Sequence, residues 1–265
     1  MVELDLVVAD PNIKSPMRGF FCNFISELQI IISFFNEKHR LPESIDSSGM
    51  FTIFKDNADI NLSNILFEIK EYDIIYETEI TMDFSFAWND YKNINFKYIT
   101  PFINKYFSPS NTVKLCINNF INKYNIDFEN TAYVLYRGND KVTEMKIATY
   151  DEFITQAKLI RKNNPTIKFL IQTDELEFRE TFINYFGNCF YFDELPVIKK
   201  NIQTNVHHTL LSGEKQNFSI NLLSSIICGS KCKYIINHTG NVGLWAILYR
   251  SNTHNTFQYI NGKWI

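Results

Sequence analysis

The apolar positions along the chain change their period twice. Phe24, Leu28, Ile31, Ile32 and Phe35 recur at helical spacing and predict a helix running from Gly19 to about His39. A strand over 3–9 and a loop over 11–16 precede it. Between 40 and 110 the signal weakens. The expected elements there are a strand at 50–54 after the Ser47-Ser48-Gly49 turn, a short strand at 73–76 and irregular structure over 81–101. Val113, Cys116, Ile117, Phe120 and Ile121 then give the apolar face of a helix over 112–124, with Ser110 as its N-cap. From residue 133 the pattern alternates. Apolar, β-favouring runs at 133–136, 167–171, 188–192 and 233–237 read as strands. Helices fall between them. The first opens on the capping box of Thr149 and Glu152 and stops at Asn163-Asn164-Pro165. Others run to about Phe186, over 217–229 and over 243–250, and 257–265 reads as a last strand and tail. Strand, helix, strand, helix, strand is the order of a parallel sheet with crossover helices.

Composition narrows this picture. The 265 residues are 45% hydrophobic, enough for a substantial core, and the net charge is −3. Lys and Arg form no long block, which argues against a nucleic-acid or membrane-surface binder. Acidic residues stand at the amino terminus, where a signal peptide carries basic ones. No apolar run reaches about 18 residues, so no transmembrane segment is expected. Five cysteines without a C-x-x-C pair suit reduced thiols and a cytoplasmic location. Cys228 and Cys232 lie one helical turn apart, yet buried structural thiols are expected there rather than metal ligands.

Candidate chemistry concentrates at Tyr136-Arg137-Gly138-Asn139-Asp140-Lys141-Val142-Thr143-Glu144. An apolar strand ends abruptly in charge, and open α/β sheets place ligands at the carboxyl ends of their strands. A guanidinium suits bidentate recognition of phosphate, and acids just beyond it suit proton transfer. A charged surface loop explains the same residues equally well. Gly19, between strand and helix, and the Thr239-Gly240-Asn241-Val242 turn before a helix are places where backbone amides can hold a diphosphate. Trp88, Tyr91 and Phe96 suit a sugar-acceptor groove, with core packing as the default. His207 and His208 fall in a loop near the site, more in keeping with a structural than a catalytic role.

Four stretches, taken in order, resemble one family. The stretch from Tyr136 to Glu144 resembles the arginine motif of the α-1,6-fucosyltransferase and nodulation fucosyltransferase group, which is related to the protein O-fucosyltransferases. Gly19-Phe20-Phe21-Cys22-Asn23 resembles that group's Gly-x-x-x-Asn turn, and Leu170-Ile171-Gln172-Thr173-Asp174-Glu175 its strand ending in Thr-Asp-acid. Residues 234–250 resemble its last strand, small-residue turn and helix. The resemblance implies an α/β fold of GT-B type, with two Rossmann-like domains whose parallel sheets face a cleft. Residues 1–110 would be the acceptor-side domain and 111–265 the nucleotide-sugar-binding domain. It implies an inverting, metal-independent glycosyltransferase that uses a nucleotide sugar, GDP-fucose in many relatives, and a glycan acceptor. The sequence itself has no Asp-x-Asp motif. By resemblance Arg137 clamps the diphosphate, Lys141 orients the donor and Glu144 deprotonates the acceptor, while Asp140 orients the loop. Asp174, Thr239, Gly240, Asn241 and Val242 fall at the donor site, and Gly19 and Asn23 on the opposite cleft wall. The chain departs from the family in three places. Leu135 stands where relatives often carry a histidine, Lys233 where they often carry an acid, and one residue fewer separates Val142 from the glutamate. A non-catalytic nucleotide-sugar or glycan binder on the same fold is the alternative. A nucleotide hydrolase is disfavoured by the lack of a Walker-type glycine loop.

Overall fold

The helical spacing of the first apolar stripe produces α1 (Phe20–Lys38), closed at its carboxyl end by His39 in the left-handed conformation. This is a computed structural model describing residues 6–8, 19–72, 74, 79–80, 88–201 and 206–265. The helix α1 crosses between two parallel strands, β1 (Leu6–Val8) and β2 (Ser44–Asp46). Next come α2 (Leu62–Leu66), β3 (Phe67–Glu68) and α3 (Phe96–Tyr106), then β4 (Ser108–Pro109), which pairs antiparallel with β3. The Ser110 hydroxyl accepts from the Val113 amide and opens α4 (Asn111–Tyr124).

The second half is the alternating pattern made solid. Its elements are β5 (Thr131–Tyr136), α5 (Tyr150–Asn163), β6 (Lys168–Thr173), α6 (Leu176–Phe186) and β7 (Cys189–Phe190). They continue with α7 (Lys215–Lys231), β8 (Tyr234–His238), α8 (Asn241–Arg250), β9 (Thr256–Ile260) and β10 (Lys263–Trp264). The six strands form one sheet in the order β10-β9-β8-β5-β6-β7. Every pairing is parallel except β9 with β10. All six residues of β5 are buried, because both faces of the sheet are covered. Ala132, Val134 and Tyr136 face a core shared with α5 and α6. Tyr133 and Leu135 face the other core, shared with α7, α8 and the helices of the first half.

That second core is continuous across residue 110. Trp245 of α8 packs with its ring centroid 5.3 Å from Phe24 and 4.9 Å from Phe107. Its indole N–H donates to the Phe21 carbonyl at 3.2 Å. The close seating of α7 on β5 depends on Gly229, where a Cβ would stand 2.5 Å from the Tyr133 ring.

The expected strand at 50–54 is absent. The strand of this region is β2 instead, and Phe51 adopts a φ of 59° that no strand allows. Phe51 and Phe54 serve as knobs packed on Phe20 at 5.9 and 5.2 Å. The irregular structure expected over 81–101 ends at α3, which begins at Phe96 and passes through Pro101. Most of the strand expected at 73–76 and residues 81–87 lie outside the described residues, as does the loop over 11–16. The expected tail is a hairpin, turned by Asn261 and Gly262 at φ of 52° and 81°. No helix among the described residues is long and apolar enough to cross a membrane.

Candidate functional site

The strand order places the site. From β5 the chain builds outward through β6 to β7, then returns to the other side of β5 for β8 and β9. The order therefore reverses between β5 and β8, and the carboxyl ends of strands at such a reversal leave a crevice. A cleft of about 400 Å³ opens there. Arg137 leaves β5 on one side of the reversal, and the Thr239-to-Val242 turn leaves β8 on the other.

Arg137 is held by two carboxylates. Its Nε donates to Asp174 Oδ2 and its Nη2 to Asp140 Oδ1, each at 2.9 Å. Asp174 Oδ1 accepts from the Gly138 amide at 3.0 Å, so one carboxylate fixes both the guanidinium and the turn beneath it. Burial lowers the Arg137 pKa, but the charges of Asp174 and Asp140 outweigh it and hold the pKa above its usual value. Nη1 has no hydrogen-bond partner among the described residues. Asn139 is fully buried; it donates to the Asp174 carbonyl at 2.8 Å and accepts from the Asn201 amide at 2.7 Å.

Lys141 donates to Glu144 Oε2 at 2.6 Å and lies 3.9 Å above the Trp88 ring. Burial pulls its pKa below the ordinary lysine value, with Glu144 opposing. The ammonium touches Gly240, where a Cβ would meet Lys141 Cε and Nζ at 3.1 Å. The φ of 150° is what requires glycine at 240, and a Cβ there would also press on the Lys141 side chain. Glu144 is 43% exposed at the cleft mouth.

Two helices begin at this cleft. The amides of Asn241, Val242 and Gly243 precede the first backbone bond of α8, from Leu244 to the Gly240 carbonyl. Those of Phe20 and Phe21 precede the first bonds of α1, from Cys22 and Asn23 to the Gly19 carbonyl. Both ends carry positive dipole charge into one space. This decides the electrostatics. The lining side chains set two cations, Arg137 and Lys141, against three carboxylates, Asp140, Glu144 and Asp174. Side-chain charge alone does not attract an anion, and the helix amides with the unpaired face of Arg137 supply what does.

The other expected residues divide. Gly19 and Thr239 line the cleft; a Cβ at Gly19 would meet nothing within 4 Å, and its φ of −59° is open to any residue. Asn23 does not line it; its amide reaches back to the Gly19 carbonyl at 3.4 Å. His207 lines the cleft while His208 is exposed outside it, their rings 4.4 Å apart. Burial, then the charges of His208 and Arg137, push His207 down to about 4. Tyr91 belongs to the core, and its hydroxyl accepts from the Gly240 amide and donates to the Gly240 carbonyl, each at 2.9 Å. Cys228 and Cys232 are buried, with burial pushing Cys228 up to about 12. Among the described residues no group of three or more His, Cys, Asp or Glu could hold a metal ion.

Two contributors went unread in the sequence. His238 ends β8, and its Nε2 accepts from the Arg137 amide at 3.1 Å. Burial, then Lys141 and Arg137, push His238 down to about 3, so it is neutral at pH 7 and acts as a fixed acceptor. The signal available was its place at the end of an apolar strand. Gln258 of β9 accepts from the Tyr91 amide and donates to the Asn89 carbonyl and the Thr239 hydroxyl at 2.8–2.9 Å. Nothing local in the sequence marks it.

No protein-family model matches the sequence, and no curated protein matches it at a significant level.

Proposed function

We propose that this chain is an inverting glycosyltransferase that moves a sugar from a nucleoside-diphosphate donor to a hydroxyl of a glycan acceptor. One observation carries the reading. Arg137, with Nη1 unpaired among the described residues, and the first turn of α8 stand on opposite sides of the strand-order reversal, facing one cleft. A diphosphate bridging the two receives the guanidinium from one side and backbone amides from the other.

The chemistry follows from the same groups. The acceptor hydroxyl gives its proton to Glu144 as its oxygen attacks the anomeric carbon. The bond from that carbon to the diphosphate oxygen breaks, and attack opposite the leaving group inverts the centre. Negative charge grows on the leaving diphosphate and is met by Arg137 Nη1 and the α8 amides. Lys141 holds Glu144 in place from beside Gly240. The GT-B arrangement belongs to this proposal, with 1–110 on the acceptor side and 111–265 on the donor side. The parallel β1-α1-β2 unit supports it, as does the arrival of the α1 amino terminus at the cleft. Leu135 lines the cleft and offers the nucleotide base an apolar contact, so GDP-fucose is one candidate donor among several.

Arg137→Ala is expected to lower kcat/KM about 10³-fold, the scale of losing a donor aimed at developing charge. Retention of turnover would remove Arg137 from the mechanism. A second reading rests on the Lys141–Glu144 contact, which occupies the proposed base: the chain binds nucleotide sugars without transferring them. Slow donor hydrolysis abolished by Glu144→Gln supports the enzyme, and binding with no hydrolysis or transfer supports the binder.

A further inference from the structure

The transfer chemistry leaves several cleft residues unused, Trp88 among them. Trp88 lines the cleft and is 42% exposed. Lys141 covers one face of its ring at 3.9 Å, and among the described residues no aromatic ring packs on the other. The remaining tryptophans are placed differently: Trp245 is fully buried, and Trp264 packs against Phe153 and Tyr259.

The backbone that presents Trp88 is fixed. Gln258 bridges the Asn89 carbonyl and the Tyr91 amide, and the Tyr91 hydroxyl is bonded to Gly240. A flat, exposed indole held on a pinned backbone has little ordering entropy left to lose when a ligand stacks on it.

Its position selects the ligand. Trp88 reaches the cleft from the β9 side, through Gln258. Leu195 and Pro196, which follow β7, and Phe218 and Leu222 of α7 form an apolar wall on the other side. The strand-order reversal where β5 meets β8, the diphosphate position of the proposed transfer, lies between them. A nucleotide sugar lying across the strand ends puts its base against the apolar wall and its sugar toward Trp88. Glu144 belongs to this sugar end, joined to Trp88 through Lys141.

We propose that Trp88 is the stacking platform for a pyranose ring of the acceptor, seated on the indole face that Lys141 leaves open. The apolar C–H face of a pyranose matches a flat aromatic surface, while its hydroxyls stay wet at the cleft mouth. This rests on the nucleotide-sugar reading above, and the test separates the two. Tryptophan emission is followed while chitobiose, cellobiose, maltose and N-acetyllactosamine are titrated in turn. Nucleoside-diphosphate binding is measured in parallel by thermal shift. At least one disaccharide is expected to perturb the wild-type emission. Its affinity, measured by calorimetry, should fall about tenfold in Trp88→Ala and much less in Trp88→Phe. Nucleoside-diphosphate binding should be unchanged in both variants. The proposal is overturned if no disaccharide binds the wild type, if Trp88→Ala binds it as well as wild type, or if Trp88→Ala loses the nucleotide. That last outcome makes Trp88 a base platform and leaves the nucleotide reading standing. Absence of nucleotide binding in the wild type sinks the transferase reading instead.

Discussion

At Gly138 a backbone hydrogen stands where no side chain fits. A Cβ there would lie 1.8 Å from Glu175 Oε2 and 2.6 Å from the Tyr136 ring. Glu175 is fully buried, its nearest cation is the Lys200 ammonium at 3.7 Å from Oε1, and burial raises its pKa with Lys200 opposing. Gly138→Ala is therefore expected to destabilise the fold by about 1–3 kcal/mol, through overpacking. The denaturation midpoint measures it, and Glu175→Ala in the same chain should return part of the loss. Glu27 makes a second claim at this scale. It is buried within α1 and accepts from the Ser63 hydroxyl at 2.8 Å, and burial raises its pKa from 4.5 to about 7. The folded state keeps this acid protonated where the unfolded chain has released the proton. Its contribution to stability is thus unimpaired below pH ~4.5, declines as pH rises to about 7 and is level above that. The decline is on the order of 3 kcal/mol. Glu27→Gln should lose it and be the more stable protein at pH 8. A melting-temperature difference between wild type and Glu27→Gln that stays constant across pH 5–8 would refute this.

The elements show why the two halves of the chain read so differently. In the second half the central strands β5 and β6 are buried on both faces and the helices carry apolar stripes, so period alone locates β5, β6, α5, α6 and α7. The capping box is realised as written, with Glu152 accepting from the Thr149 amide at 2.7 Å and Thr149 Oγ1 from the Glu152 amide at 3.2 Å. Thr149→Ala should cost about 1 kcal/mol in the denaturation midpoint, and no change would mean the box is incidental. Between 40 and 110 the apolar residues plug an aromatic cluster from loops and short turns. Phe51 and Phe54 therefore resemble a strand in sequence but are not one. Asn261-Gly262 is a local hairpin signal, realised as the β9–β10 turn. The charged run after β5 was legible because a strand ended there. His238 and Gln258 were not, because each acts on residues about a hundred or more positions away, Arg137 and Tyr91.

On the scale of the molecule, the fold serves to bring distant polar groups to one reversal in strand order. Trp245 ties α8 to the aromatic cluster of α1, so the two helix amino termini meet the same cleft on one rigid core. The carboxylates there outnumber the cations, so the proposal requires a ligand that uses the backbone amides together with Arg137 Nη1. On the proposed reading a diphosphate spans Arg137 and α8, so a monophosphate should bind more weakly. Calorimetry of GDP, UDP, ADP and CDP, each against its monophosphate, with wild type and Arg137→Ala tests the central claim most directly. The account predicts that at least one diphosphate binds the wild type, more tightly than its monophosphate. It further predicts that Arg137→Ala loses this binding with its circular dichroism spectrum unchanged. Binding by none of the four, or undiminished binding by a folded Arg137→Ala, would contradict it.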